Sequence, residues 1–144
     1  MDGSVVTSQG DLEAEAINFY QNLFTAQDVT DPELVTHWVN QRVDAGMNEK
    51  LCAPITNEEI QQALFMMHPD KSPGPDGFTA GFYIRHWNLL KNNVCEAVRN
   101  FLSGGDLPEA VNSTVLVLIP KSKNPQELSQ FRPISLCNVL YKIA

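Results

Sequence analysis

A short run of prolines and glycines, Ser72-Pro73-Gly74-Pro75-Asp76-Gly77, constrains the fold of this chain more than any other feature. The two prolines fix φ and push the residues before them into extended conformations, while both glycines permit a positive φ. Neither a regular helix nor a central strand can pass through such a run. The chain must turn here between separate elements.

Three helices are predicted on the N-terminal side of this turn. An apolar stripe that starts at Leu12 predicts a helix from Asp11 through Thr25, with Asp11 as its cap. Asp31-Pro32-Glu33 can open a short helix through Val39. Thr56-Asn57-Glu58-Glu59 is a capping box, so a helix should begin there and end before Pro69.

Further helices are predicted after the turn. Apolar stripes favour one helix over about 80–90 and another over about 92–103, and Gly104-Gly105 supplies the stop for the second. A last helix begins near Asn138.

A small β element is expected between these helices and the last one. Thr114 to Ile119 is β-branched and apolar without alternation, which is typical of a strand covered on both faces. Phe131 to Leu136 is a second extended segment that can pair with it as a hairpin. We therefore predict an α+β fold, rich in helix, with a small hairpin near the C-terminus.

Charge divides the chain into two unequal parts. The 144 residues carry a formal net charge of −7, which is unusual for a nucleic-acid-binding protein. Residues 1–60 hold eleven acidic residues against Arg42 and Lys50, a net charge of −9, whereas residues 61–144 carry a net charge of +2. Because phosphate affinity depends on local cations, only the second part is suited to contact nucleic acid.

Composition disfavours several other classes of protein. The longest apolar stretch, Val115 to Ile119, is far too short to span a bilayer, and residues 1–10 do not form a secretory signal. We expect an intracellular protein, in the cytoplasm or the nucleus, with no membrane partner. The cysteines are expected to be buried free thiols, and no cysteine or histidine pair has zinc spacing. These residues are Cys52, Cys95, Cys137, His37, His68 and His86.

The proline-glycine loop, defined as residues 71–78, has two interpretations. A rigid exposed loop can hold Lys71 and its amide donors at a fixed place, which suits contact with a sugar-phosphate backbone. Alternatively, the loop only links two helices, and Asp76 caps the second. We expect no metal site at Asp70 or Asp76, because lone carboxylates beside turn glycines are usually caps.

Two cations flank the predicted hairpin. Lys121 follows the strand directly after Pro120, which should end the backbone pairing, and Arg132 begins the next extended segment. In an antiparallel pair the two side chains can converge. A lysine ammonium beside a planar arginine guanidinium is better suited to bind a triphosphate than to bind a single carboxylate. The alternative is two solvated cations at the ends of a hairpin. The sequence contains no nucleophile–base arrangement, Walker loop or dinucleotide-binding loop.

Residues from about Thr56 to Ala144 resemble the start of the reverse transcriptase of non-LTR (LINE-type) retrotransposons, most like those of plant genomes. Residues 10–25 are similar to the stretch that links the family's endonuclease to its polymerase. The motifs of the longer resemblance occur in the family's order and spacing. They are Asn57-Glu58-Glu59-Ile60, Pro69 to Phe78, Phe82-Tyr83 with Trp87, Leu107-Pro108-Glu109, Leu118-Ile119-Pro120-Lys121, and Phe131-Arg132-Pro133-Ile134-Ser135-Leu136-Cys137-Asn138.

The resemblance implies a right-hand polymerase, in which residues 56–144 would form the N-terminal, fingers part and residues 1–55 an acidic helical linker. Lys121 and Arg132 match the fingers cations that hold the phosphates of the incoming nucleotide. The proline-glycine loop resembles an element that lies along the template. Its implied template-binding residues are Lys71, Ser72, Gly74, Asp76, Gly77 and Phe78. The implied partners are an RNA template, a DNA primer, a deoxynucleoside triphosphate, and the palm and thumb of the parent polypeptide.

One departure from the family concerns catalysis. The family's catalytic aspartates, which bind Mg²⁺ in the intact enzyme, belong to the palm, and no acidic residue follows Glu127 here. We therefore predict a partial RNA-directed DNA polymerase that supplies template and nucleotide contacts, without catalytic residues or polymerase activity of its own. The competing hypotheses are a non-enzymatic helical interaction module and an inert remnant of a degenerate element.

Overall fold

The computed structural model of the protein describes residue 5 and residues 7–26, 36–37, 40 and 42–144. This part of the chain forms seven α-helices, one antiparallel strand pair and a 3-10 helix at Leu128–Gln130. The helices are α1 (Gln9–Phe24), α2 (Ala45–Leu51), α3 (Asn57–Phe65), α4 (Ala80–Arg85), α5 (Trp87–Leu102), α6 (Glu109–Asn112) and α7 (Val139–Ile143), and the strands are β1 (Thr114–Pro120) and β2 (Phe131–Cys137). The predicted α+β fold with a C-terminal hairpin is confirmed.

The hydrophobic core lies among α3, α4, α5 and α7. Leu64 is fully buried at its centre, and the Trp87 ring packs edge-on against Phe65 with centroids 6.1 Å apart. The buried members of this cluster are Ile60, Leu64, Ala80, Tyr83, Trp87, Val94, Cys95, Val98, Val139 and Ile143. The core is therefore built almost entirely from residues after the capping box.

Helix starts follow local capping chemistry. The capping box is confirmed, since the Thr56 hydroxyl accepts from the Glu59 amide at 3.2 Å and the Glu59 carboxylate accepts from the Thr56 amide at 2.8 Å. The prediction that Asp11 caps α1 is wrong. Ser8 is the cap, and its hydroxyl accepts from the Asp11 amide at 3.2 Å.

The break between α4 and α5 lies at His86, not near residue 91 as the sequence suggested. Trp87, Val94 and Val98 are all buried on one face of α5. Because these residues recur at helical spacing, the stripe is continuous from Trp87 onward, and a break at residue 91 would interrupt it. The predicted stop is confirmed, because Gly104 has φ +88 and its amide donates to Phe101 O at 3.0 Å.

The hairpin forms as predicted, but the described structure does not cover it on both faces. The side chains of β1 are largely exposed, including Val115 at 46% and Ile119 at 46%. Nor does Pro120 end the pairing, since the Lys121 amide still donates to Gln130 O at 2.8 Å. A strand whose composition suits a buried sheet therefore has only one strand neighbour among the described residues.

Two short helices were not predicted, α2 and α6. The Asp44 carboxylate caps α2 by accepting from the Met47 amide at 2.8 Å. The helix expected from Asp31 through Val39 lies mostly outside the described residues. No helix among the described residues is long and apolar enough to cross a membrane.

Candidate nucleic-acid interface

The proline-glycine loop folds as a closed turn. The Gly77 amide donates to Gly74 O at 3.1 Å, and of the two glycines that permit a positive φ, Gly77 adopts one, at 77°. The Asp76 carboxylate accepts from the Phe78 amide at 3.0 Å. Asp76 therefore braces the turn and does not cap α4, whose N-cap residue is Thr79.

Most of the predicted template-binding residues are exposed. Lys71, Ser72, Asp76, Gly77 and Phe78 are exposed, and Gly74 is half-buried. The Phe78 ring lies against the Phe82 ring with centroids 4.6 Å apart, so an aromatic surface adjoins the turn. An exposed aromatic ring such as that of Phe78 is a group on which a nucleobase can stack.

A tyrosine lies beneath the turn. Tyr83 is buried, and its ring contacts the Phe78 ring edge-on at a centroid distance of 6.4 Å. Burial raises the pKa of the Tyr83 phenol above its ordinary value of 10.0, and the negative charge of Asp76 raises it further. The phenol is therefore neutral at physiological pH and adds no charge to the loop.

Asn138 is the site residue that sequence reasoning missed. Its side-chain oxygen accepts from the Asp76 amide at 3.1 Å, and its side-chain nitrogen donates to Ala110 O at 2.8 Å and to Val111 O at 3.1 Å. The one sequence signal was its place at the end of the Phe131–Asn138 motif. That motif did not reveal the contact, because the Asp76 amide lies 62 residues away in the chain.

The strand register determines how the two cations are related. Ile119 lies directly opposite Arg132 in the antiparallel pair. Lys121 follows the last residue of β1 and its amide donates to Gln130 O, so the backbones of Lys121 and Arg132 lie at the same end of the hairpin. The Lys121 ammonium also donates to Ser129 O at 2.7 Å, which holds it at this corner of the hairpin.

The loop and the cation pair occupy opposite ends of the hairpin. The loop contacts Asn138, next to the Thr114↔Cys137 pair, whereas the cations lie near the Pro120↔Phe131 pair. Six residue steps separate these two pairs along β1, which corresponds to about 20 Å at roughly 3.4 Å per residue. Lys121 and Arg132 thus lie at one end of the hairpin, and the loop lies at the other.

The described residues do not fit a metal centre. No group of three or more histidine, cysteine, aspartate or glutamate side chains among them comes together in a way that could hold an ion. Of the thiols, Cys95 is buried as predicted, Cys137 is partly buried, and Cys52 is exposed against expectation.

Comparison with known proteins shows what this chain is similar to. No protein-family model matches the chain. It is 32% identical over 143 residues to the Transposon TX1 uncharacterized 149 kDa protein of Xenopus laevis, an alignment that covers 99% of this chain and 11% of that protein.

Two further relatives are retrotransposon polyproteins. The chain is 30% identical over 105 residues to the Retrovirus-related Pol polyprotein from type-1 retrotransposable element R2 of Bradysia coprophila, covering 72% of this chain and 11% of the relative. It is 28% identical over 102 residues to the corresponding polyprotein from type-2 retrotransposable element R2DM of Drosophila melanogaster, covering 65% and 8%. The chain is thus homologous to a segment of non-LTR retrotransposon proteins. It spans about a tenth of the length of these relatives or less, and its likeness to plant elements stays a prediction.

Proposed function

We propose that this chain is the part of a non-LTR retrotransposon reverse transcriptase that holds the RNA template and the incoming deoxynucleoside triphosphate. The observation that carries the proposal is the register of the hairpin, in which Arg132 lies opposite Ile119, two residues before Lys121. Homology to two Pol polyproteins supports the same reading. Residues 56–144 would then be the fingers part, and residues 1–55 the connection that precedes it.

The chemistry of the cation pair suits a triphosphate. An ammonium has three donors, so Lys121 keeps two for a phosphate while it donates to Ser129 O. Arg132 is exposed, and its planar guanidinium can take two phosphate oxygens at once. We infer that Lys121 and Arg132 bind the phosphates of the nucleotide from one corner of the hairpin.

The proline-glycine loop would contact a different point on the nucleic acid. Its distance from the cation pair, about 20 Å along the hairpin, corresponds to roughly six phosphates of one strand at about 3.4 Å each. Lys71 would bind a template phosphate, and Phe78 offers a ring to a base. We infer that the loop binds template away from the nucleotide.

The catalytic step would come from residues outside these 144. Two-metal phosphoryl transfer needs a carboxylate cluster, and the described residues do not offer one. A primer-extension assay on the purified chain should therefore give no incorporation. Metal-dependent incorporation would overturn this part of the proposal.

A specific observation favours the competing hypothesis of an interaction module. One face of the hairpin exposes the apolar side chains Val115, Val117, Ile119 and Ile134. Exposed apolar faces of this kind often mark protein-binding surfaces. An interaction module would use this face and would have no need of the cations beside it.

The test is binding of a deoxynucleoside triphosphate and of a single-stranded oligouridylate to the 144-residue protein. The double variant Lys121→Ala/Arg132→Ala should weaken triphosphate binding at least about tenfold, because one charge-assisted hydrogen bond is worth about 1.5–3 kcal/mol. The matched control is Arg85→Ala/Lys91→Ala, which removes the same two charge types from exposed positions on α4 and α5.

The control separates a built site from general attraction. If both double variants weaken triphosphate binding equally, Lys121 and Arg132 contribute only nonspecific electrostatic attraction. Their assignment as the phosphate-binding residues is then wrong. If neither variant changes binding, or the wild-type protein does not bind, the interaction module is the better reading.

A further inference from the structure

Asn138 occupies an unusual position for a buried polar residue. It precedes α7 as its N-cap residue, where an asparagine side chain ordinarily accepts from the first turn of its own helix. Here the side chain makes no such bond, and the residue is only 1% exposed. Its amide group is directed instead to segments distant in the chain.

These distant bonds use both the acceptor and the donor ends of the side chain. The oxygen accepts from the Asp76 amide in the proline-glycine loop, and the nitrogen donates to Ala110 O and Val111 O in α6. A primary amide has two N–H donors and one carbonyl, so each N–H can serve one of the two carbonyls. A buried side chain satisfied in this way fixes the relative position of three segments, because each lost bond leaves a desolvated group.

A second, independent contact joins the loop to the same residue. A Cβ added at Gly74 would lie 2.3 Å from the Asn138 side-chain oxygen and 2.4 Å from its backbone nitrogen. Any larger residue at position 74 would push the loop away from the end of β2. Glycine is therefore needed at Gly74 for close approach, whereas Gly77 serves the turn itself.

We propose that Asn138 is a positioning residue that fastens the proline-glycine loop to the hairpin, at the end opposite to Lys121 and Arg132. The inference rests on the proposed function, in which the loop binds the template and the hairpin binds the nucleotide. With the loop fastened, Lys71 keeps a fixed distance from the cation pair. Asn138 itself contacts neither ligand.

The residue type is explained by these bonds. A leucine of similar size would leave the Asp76 amide and two carbonyls without their partner. An aspartate would keep an acceptor for the Asp76 amide, but it would face the Ala110 and Val111 carbonyls with oxygen and bury a charge. Only an amide offers an acceptor on one side and two donors on the other.

The experiment compares Asn138→Ala with Asn112→Ala, an exposed asparagine on α6. Amide hydrogen exchange in the 144-residue protein should be about tenfold faster at Asp76 in Asn138→Ala, as expected for the loss of one hydrogen bond. Exchange at Val98 in the core should stay as in wild type. Asn112→Ala should change neither amide.

Binding to a single-stranded oligouridylate supplies the readout that a merely structural role would not move. The slope of log affinity against log salt should fall by about 0.7 in Asn138→Ala, the value for one phosphate contact on a single strand. Lys71→Ala should lower the slope by the same amount. The two substitutions together should lower it no further, because both remove the same contact.

Each outcome decides the inference. Unchanged exchange at Asp76, or equal acceleration at Asp76 and Val98, overturns the positioning role. Additive slopes for Asn138→Ala and Lys71→Ala overturn the link to template binding. If the wild-type protein binds no RNA, the proposed function fails, while the exchange arm still decides whether Asn138 fastens the loop. Gly74→Ala breaks the contact from the loop side and decides the exchange arm if Asn138→Ala does not fold.

Discussion

Helices α1 and α5 have the same length of 16 residues, and both carry an apolar stripe, yet they end in different environments. α5 buries Trp87, Val94, Cys95 and Val98 against its neighbours. α1 buries only Tyr20. Apolar periodicity thus identifies the face of a helix that needs cover, but it does not say whether the chain supplies that cover.

The contacts of the two helices explain the contrast. α5 packs on α3, α4 and α7, which together form the core. In α1, the Tyr20 hydroxyl donates to Leu128 O at 3.4 Å, in a segment distant in the chain. A helix that buries a single residue is expected to open without unfolding the rest of the protein.

The largest expected effect comes from comparing a leucine in each region. Leu64→Ala should lower the free energy of unfolding by about 2–5 kcal/mol, because it leaves a cavity at a fully buried position. Leu23→Ala on α1, at a side chain 59% exposed, should change it by less than about 0.5 kcal/mol. Urea unfolding of both variants measures the difference, and equal losses would contradict the contrast between the helices.

A change at Tyr20 tests how α1 is attached. Tyr20→Ala should lower the free energy of opening α1 by up to about 3 kcal/mol, because Tyr20 is its buried anchor. Amide exchange should then accelerate along α1 and stay unchanged at Val98. Tyr20→Phe is the control, since it keeps the ring and loses only the long hydrogen bond to Leu128 O. Acceleration at Val98 as well would show that α1 is part of the cooperative core.

Loss of a helix cap should lower global stability in the core but only local stability in α1. Thr56→Ala removes half of the capping box of α3 and should cost about 1 kcal/mol of global stability. Ser8→Ala removes the cap of α1 and should accelerate exchange in that helix without shifting the global transition. Thr79→Ala is the matched control on a core helix, because Thr79 makes no side-chain cap bond. A Thr79→Ala loss as large as that of Thr56→Ala would refute the role of the cap bond.

The smallest expected effect is a dependence of the free energy of unfolding on pH that comes from Tyr83 in the core. Because burial and Asp76 raise the pKa of Tyr83 above 10.0, the folded state keeps this proton at a pH where the unfolded state releases it. Stability should therefore fall as pH rises above about 10 and be unaffected by this group at lower pH. Tyr83→Phe should reduce the slope of stability against pH in that window. An identical slope in wild type and variant would contradict the shift.

Local signals in the sequence predicted some of the helix boundaries and missed others. The capping box and the Gly104 stop were identified because each depends on bonds between residues a few positions apart. The cap of α1 was misassigned to Asp11 because serine and aspartate compete for the same role three residues apart. The break at His86 was missed because it depends on how Trp87 reaches the core.

The candidate site was predicted less completely. The turn at residues 71–78 and the hairpin followed from proline, glycine and β-branched residues alone. The placement of Lys121 and Arg132 at one end of the hairpin could be proposed from the sequence only by assuming antiparallel pairing. The actual register, with Ile119 opposite Arg132, is a property of the assembled strand pair.

The sequence by itself determined where this chain turns, where α3 begins and α5 ends, and which residues carry positive charge after residue 60. These properties depend on backbone torsions and bonds between near neighbours, which short stretches of sequence encode. Only the tertiary structure decided that Asn138 meets Asp76, that α1 stays largely uncovered, and that the loop and the cations lie at opposite ends of the hairpin. Contacts between residues far apart in the chain depend on the simultaneous packing of all elements, and no local pattern records that arrangement.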